Sequence, residues 1–178
     1  SATSARVQQL KARLDTDWST VDVMANEAIQ DINIVAGCLK QWFRELPDPL
    51  LTYQLYPAFI EASKIENDFL RQVRLHEQVN NLPDANYATL RFLMAHLDRI
   101  RAHESINQMS AHTLAIVFGP TLLRSPHEAQ MAGAGAAASH GGVGQMYFPD
   151  MSLQCKAIET ILLKYRDIFV ESDEDDLS

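Results

Sequence analysis

Lys40 and Arg44 carry the side chains of this sequence best placed to do chemistry. They stand four apart in Leu39-Lys40-Gln41-Trp42-Phe43-Arg44-Glu45-Leu46-Pro47-Asp48-Pro49-Leu50-Leu51-Thr52, a spacing that stacks two side chains on one face of a helix. The prolines lack an amide proton and restrict the residue before them, so the helix must end there in a rigid corner. Two cations beside a fixed corner suit the docking of an anionic loop. The competing reading is a solvated pair neutralised by Glu45 or Asp48.

Other chemistries have no foothold. The sequence contains no GxxxxGK[ST] loop, no GxGxxG after a strand, no HExxH and no GxSxG, which argues against nucleotide binding by those devices and against serine or zinc hydrolysis. Of its six histidines only His96 and His103 share a helical face, and Ile100 between them points to partly buried packing rather than a metal pair. Cys38 and Cys155 lie in amphipathic segments with no CxxC, as expected of reduced core thiols.

The elements that must position Lys40 and Arg44 all follow a period of three and four, which predicts an all-α chain of about seven helices. Val7, Leu10 and Leu14 form the first stripe, with Thr3 and Ser4 as caps, and Ile32, Val35, Leu39, Trp42, Phe43 and Leu46 form the second. Thr52 is placed to cap a helix through Leu55, Tyr56, Phe59 and Ile60; Ile65, Phe69, Val73 and His76 mark the next. Tyr87, Leu90, Met94, Leu97 and Ile100 make a long helix after Leu82-Pro83-Asp84. Ser110 caps a short helix through Leu114, Val117 and Phe118 that Gly119-Pro120 should end. A last helix carries Leu153, Ile158, Ile161, Leu162, Tyr165 and Phe169.

A length of 178 residues suits one domain with its own core, and 47% apolar with 21% charged residues is ordinary for a soluble globular protein. The formal charge is −8, but Glu171, Asp173, Glu174, Asp175 and Asp176 account for five of those charges, so the body carries only −3. Nucleic acid and anionic membrane are therefore poor partners. No apolar run has the length of a membrane span and no signal peptide is evident. Residues 125–148, rich in Gly and Ala, read as a flexible surface loop, and 171–178 as a disordered acidic tail in which Ser172 sits in an acidic context.

A second apolar stretch, Asn107-Gln108-Met109-Ser110-Ala111-His112-Thr113-Leu114-Ala115-Ile116-Val117-Phe118-Gly119-Pro120-Thr121-Leu122-Leu123, reads by itself as a buried helix with a stop. With the Lys40 segment and Leu82-Pro83-Asp84-Ala85-Asn86-Tyr87-Ala88-Thr89-Leu90, it resembles the Rho GTPase-activating protein (RhoGAP) domain family. That family's hallmarks include LKxxxRELPxPLL, LPxxNxxxL and NxMxxxNLAxVFGPxLL segments in this order. The resemblance covers residues 1–170 as one domain and implies a RhoGAP-like helical bundle.

The resemblance further implies an activator domain, rather than an enzyme with its own substrate, that binds a GTP-loaded Rho- or Rac-type small GTPase. An inserted arginine finger neutralises charge building on the phosphates. No cofactor is expected of the chain, since GTP and Mg2+ belong to the GTPase; the domain is expected to be monomeric and cytoplasmic, recruited to membranes by other domains of its parent. Lys40 and Arg44 match the family's basic pair and Asn107 the first Asn of NxM. Thr113 stands where the family usually has Asn, and its shorter hydroxyl weakens or replaces that contact. No residue matches the finger; Arg6 falls on the first helix's polar side. The expectation is a chain starting just after the finger and the family's first helix, and so inactive or strongly impaired alone. The alternative is a catalytically silent RhoGAP-like module that binds a GTPase or another signalling partner.

Overall fold

The computed structural model describes residues 2–17, 19, 21, 32–127 and 150–169, and among these all regular structure is helical. The chain divides into two compact units, Ser1–Pro47 and Asp48–Ser178.

The first unit holds α1 (Ala2–Asp17) and α2 (Ile32–Glu45). Helix α1 already includes Ala2, so Thr3 and Ser4 lie inside its first turn rather than capping it. Val7 and Leu10 of α1 pack against Ile34 and Cys38 of α2, with Leu14, Val21 and Val35 alongside. The buried face of α2 is thus rotated by one residue from the predicted stripe, leaving Leu39 41% and Trp42 47% exposed. Gly37 lies at this contact: a Cβ there would come within 3.0 Å of Val7 Cγ2, so α1 and α2 approach closely along the 34–38 face. Helix α2 ends at Glu45, before Pro47, as the prolines require.

The second unit contains α3 (Tyr56–Ser63), α4 (Asp68–Asn80), α5 (Asp84–Arg101), α6 (Glu104–Asn107), α7 (Ala111–Leu122), α8 (Met151–Leu163) and α9 (Tyr165–Phe169). Asp48 accepts from the Tyr53 N–H at 2.8 Å, and Thr52, at φ 65°, donates its N–H to Pro49 O at 2.8 Å. Thr52 Oγ1 accepts from Leu55 N–H at 3.2 Å, so this hydroxyl closes the turn before α3 and is not its N-cap, which is Leu55.

Helix α4 departs further from expectation. It starts at Asp68, with Asn67 capping through Leu70 N–H, and its core face is Arg71, Leu75 and Val79, while Phe69 is 68% and Val73 39% exposed. The arginine can be buried because its donors are used: Nε reaches Thr160 Oγ1 at 3.1 Å, Nη1 the carbonyls of Ile65 and Glu66 at 2.8 and 3.1 Å, and Nη2 pairs with Asp68.

Ser110 does cap α7, accepting from Thr113 N–H at 3.0 Å. Gly119-Pro120 does not end it: the helix runs through Pro120 to Leu122. Proline removes the one bond that would reach Ile116 O; Ile116 is 46% exposed, within reach of water, while Leu122 and Leu123 are fully buried beyond it. Packing outweighs the break. Gly119 lies against α8, where a Cβ would come within 3.0 Å of the Cys155 backbone. The expected last helix is two, interrupted at Lys164, and Phe169 of α9 meets Tyr87 of α5 at 5.5 Å between ring centroids.

Residues 128–148 of the Gly/Ala loop and the acidic segment 171–178 lie outside the described residues. No described helix is long and apolar enough to cross a membrane.

Candidate functional site

Helix α2 holds Lys40 half-buried and Arg44 exposed, one turn apart on its polar side. The carboxylates that could have neutralised them are occupied elsewhere. Glu45 accepts from Gln41 Nε2 at 2.7 Å and pairs with Lys11 at 3.2 Å, and these contacts, Gln41 first, hold its carboxyl below the ordinary range. The same arrangement, led by the bond to Asp15 at 2.7 Å, raises Lys11. Asp48 is turned to Tyr53 N–H. Neither Lys40 nor Arg44 has an ion-pair partner among the described residues, so both cations remain available on the surface.

Asn107 and Thr113 belong to the second unit and flank the turn between α6 and α7. Asn107 is used at both ends of its amide: Nδ2 donates to Ile100 O at 2.8 Å and Oδ1 accepts from Met109 N–H at 2.8 Å. It ties the end of α5 to a turn whose central residue, Gln108, sits at φ 59°. Thr113 Oγ1 shares a hydrogen bond with Ser110 Oγ at 3.0 Å. Both side chains therefore shape the turn; Ile106 beside them is 81% exposed.

The turn after Pro49 is tied to the second and third segments and to Arg124. Asn86 Nδ2 donates to Leu50 O at 2.9 Å, Leu51 N–H to Leu122 O at 3.1 Å, and the Arg124 guanidinium lies over the Tyr53 ring at 5.8 Å. The role of Asn86 was missed in the sequence, where only its place after Leu82-Pro83 marked it. Arg71 was missed for the opposite reason: nothing in the sequence says that each of its guanidinium nitrogens finds a partner.

Arg6 is exposed on α1. His96 and His103 are exposed, not partly buried as expected: His96 stacks on Phe92, and its Nδ1 lies 2.9 Å from Arg99 Nη2. No cluster of metal-ligating side chains occurs among the described residues. Cys38 and Cys155 are buried and unpaired as thiols, and burial raises both above the usual thiol range.

The RhoGAP domain profile matches residues 1–127. N-chimaerin of Rattus norvegicus is 48% identical over 132 residues, which are 74% of this chain and 39% of that protein. The active breakpoint cluster region-related protein of Xenopus tropicalis is 43% identical over 133 residues, 75% of this chain and 15% of its own length. The chain thus spans well under half of these relatives. Among solved structures, the BH domain from GRAF, the GTPase regulator associated with focal adhesion kinase, superposes with a TM-score of 0.71 at 32% identity, covering 93% of this chain and 79% of that one. Human Rho GTPase activating protein 15 gives 0.72 at 34% identity, covering 93% and 70%.

Proposed function

The chain belongs to the RhoGAP domain family, and on that premise we propose that it docks GTP-loaded small GTPases of the Rho or Rac type as part of an activator of their GTP hydrolysis. The observation that carries this is the pair Lys40 and Arg44, one turn apart and without a carboxylate partner among the described residues, beside the corner that ends α2. Nearby carboxylates would have quenched them; Glu45 and Asp48 are committed elsewhere.

Hydrolysis of the γ-phosphate asks for positioning and for positive charge where negative charge develops. GTP and Mg2+ are the partner's. The role proposed for Lys40 and Arg44 is docking and bracing. Asn107 and Thr113 act by fixing the α6–α7 turn.

The test is binding to GTP-analogue-loaded Rho and Rac, comparing the chain with Lys40→Glu and Arg44→Glu. Each reversal should weaken affinity at least about tenfold, the scale of a lost charge-assisted contact of about 1.5–3 kcal/mol, with the melting temperature unchanged. Equal binding by all three proteins, or none by the unaltered chain, defeats the proposal. A silent binding module is the second reading, favoured by Thr113, whose hydroxyl is taken up by Ser110. A single-turnover GTP-hydrolysis assay on the same GTPases separates the two: acceleration marks the activator, and binding without acceleration the silent module.

A further inference from the structure

Helix α2 carries three charged side chains, Lys40, Arg44 and Glu45, so an uncompensated Glu45 would halve the positive charge of this helix from two to one. Both oxygens of that carboxylate are engaged. Oε1 accepts from Gln41 Nε2 at 2.7 Å within α2, and Oε2 lies 3.2 Å from Lys11 Nζ of α1. Gln41 is neutral and can only orient the group. Among the described residues Lys11 supplies the one opposing charge that reaches it, and Gln41 and Lys11 together hold Glu45 below the ordinary carboxylate range.

The surroundings of Lys11 fix it in this place. Its stem lines a groove of about 240 Å³ with Leu14, Leu39 and Trp42, apolar surface along which a long side chain settles while its ammonium reaches a polar edge. The same ammonium binds Asp15 at 2.7 Å. The described residues of the first unit include three carboxylates, Asp15, Asp17 and Glu45. Lys11 engages two of them, and Asp17 accepts from the N–H and Oγ of Ser19 at 3.1 and 2.6 Å. Neither Lys40 nor Arg44 pairs with any of the three.

We propose that Lys11 is a positioning residue for the docking surface: it draws the Glu45 carboxylate to α1 and cancels its charge, so that an anionic loop of the GTPase meets Lys40 and Arg44 at full strength. The inference rests on the docking reading above. Lys11 acts through Glu45 and touches no partner. Any event that lifts it from Glu45, by displacing α1 or by neutralising the ammonium, lowers the affinity of the same site.

The test measures binding to a Rho-type GTPase loaded with a GTP analogue at about 25 and about 500 mM salt. Lys11→Met keeps the stem and removes the charge. It should weaken binding at least about threefold at the lower salt, and the difference should shrink below about 1.5-fold at the higher, where charges are screened beyond about 4 Å. Glu45→Gln should bind at least as tightly as the unaltered chain, and the variant carrying both changes should bind as Glu45→Gln does. A double variant as weak as Lys11→Met overturns the proposal, because Lys11 would then act by touching the partner or by holding α1 in place. In the free chain, the carboxyl titration of Glu45 followed by carbon-13 NMR should move up toward the ordinary range in Lys11→Met; an unmoved titration overturns the proposal without any GTPase. Full binding by Lys11→Met where Lys40→Glu and Arg44→Glu lose theirs overturns this inference alone. Equal binding by all of these variants removes the docking reading and this inference with it.

Discussion

The side-chain amide of Asn86 donates to the backbone carbonyl of Leu50 at 2.9 Å, joining residues 36 apart in sequence. Leu50 belongs to the corner that follows the basic pair, and Asn86 to the first turn of α5. The contact gives a structural reason for two of the family segments to occur together: one supplies the corner and the other holds it. The third contributes Leu122, whose carbonyl receives the Leu51 N–H at 3.1 Å.

Replacing Asn86 by alanine should therefore destabilise the protein without touching any docking residue. Leu50 is buried, and leaving its carbonyl without a donor costs about 1–3 kcal/mol. Urea unfolding should show the midpoint falling at constant slope. A midpoint equal to that of the unaltered protein would mean that water replaces the amide at no cost.

Two glycines separate tight packing that can yield from tight packing that cannot. A Cβ at Gly119 meets the Cys155 backbone at 3.0 Å, whereas one at Gly37 meets only the Val7 Cγ2 methyl at 3.0 Å. Gly119→Ala should cost about 1–3 kcal/mol, the usual penalty of forcing two backbones apart. Gly37→Ala should cost less, because a methyl can rotate away and alanine favours the helix by about 1 kcal/mol. Thermal melts of the two variants check the ranking; Gly37→Ala as the more damaging of the two would refute it.

Periodicity carried most of the fold. The stripe Leu90, Met94 and Leu97 of α5 is buried as spacing demands. It failed where a neighbour overrode local preference: α1 packs on a different face of α2, around Gly37, and four partners made Arg71 an interior residue of α4. Pro120 stops a helix only if nothing pays for continuing, and the burial of Leu122 and Leu123 does. The short α6 left no trace because four residues hold barely one period. Within the site, spacing put Lys40 and Arg44 on one helix face, but only the resemblance singled them out from a solvated pair. The local role of Asn107 was not legible, since its partners, Ile100 O and Met109 N–H, are backbone atoms that no side-chain pattern reveals.

Gln108 offers a gain in stability. It sits at φ 59°, where a side chain is disfavoured, and it is exposed. Gln108→Gly should stabilise the turn by about 0.5–1 kcal/mol. Asn107→Ala, which removes one donor from Ile100 O and frees Met109 N–H, should instead loosen it. Amide exchange at Met109 reports both: slower in the glycine variant and faster in the alanine variant. The same ordering in both variants would show that the turn is held by something else.

The thiols give a pH-dependent prediction. Cys38 and Cys155 are 7% and 8% exposed, and burial raises both, so the folded chain holds them as neutral thiols above the pH at which an unfolded cysteine ionises. For a group raised on folding, the native state is favoured below the unfolded value, and that contribution is lost as pH rises toward the folded value; the unfolded chain releases its thiol protons first. Stability should thus be level through neutrality and fall above a pH of about 8.5, the ordinary thiol value. The fall should be shallower in Cys155→Ala than in the unaltered protein, measured as the urea midpoint across the alkaline range. In the same window a thiol reagent should modify the native chain at least about tenfold more slowly than free cysteine, because the reactive thiolate is scarce and access requires opening of the α7–α8 or α1–α2 packing. Rapid labelling of both residues in the native state would contradict the burial on which the prediction rests.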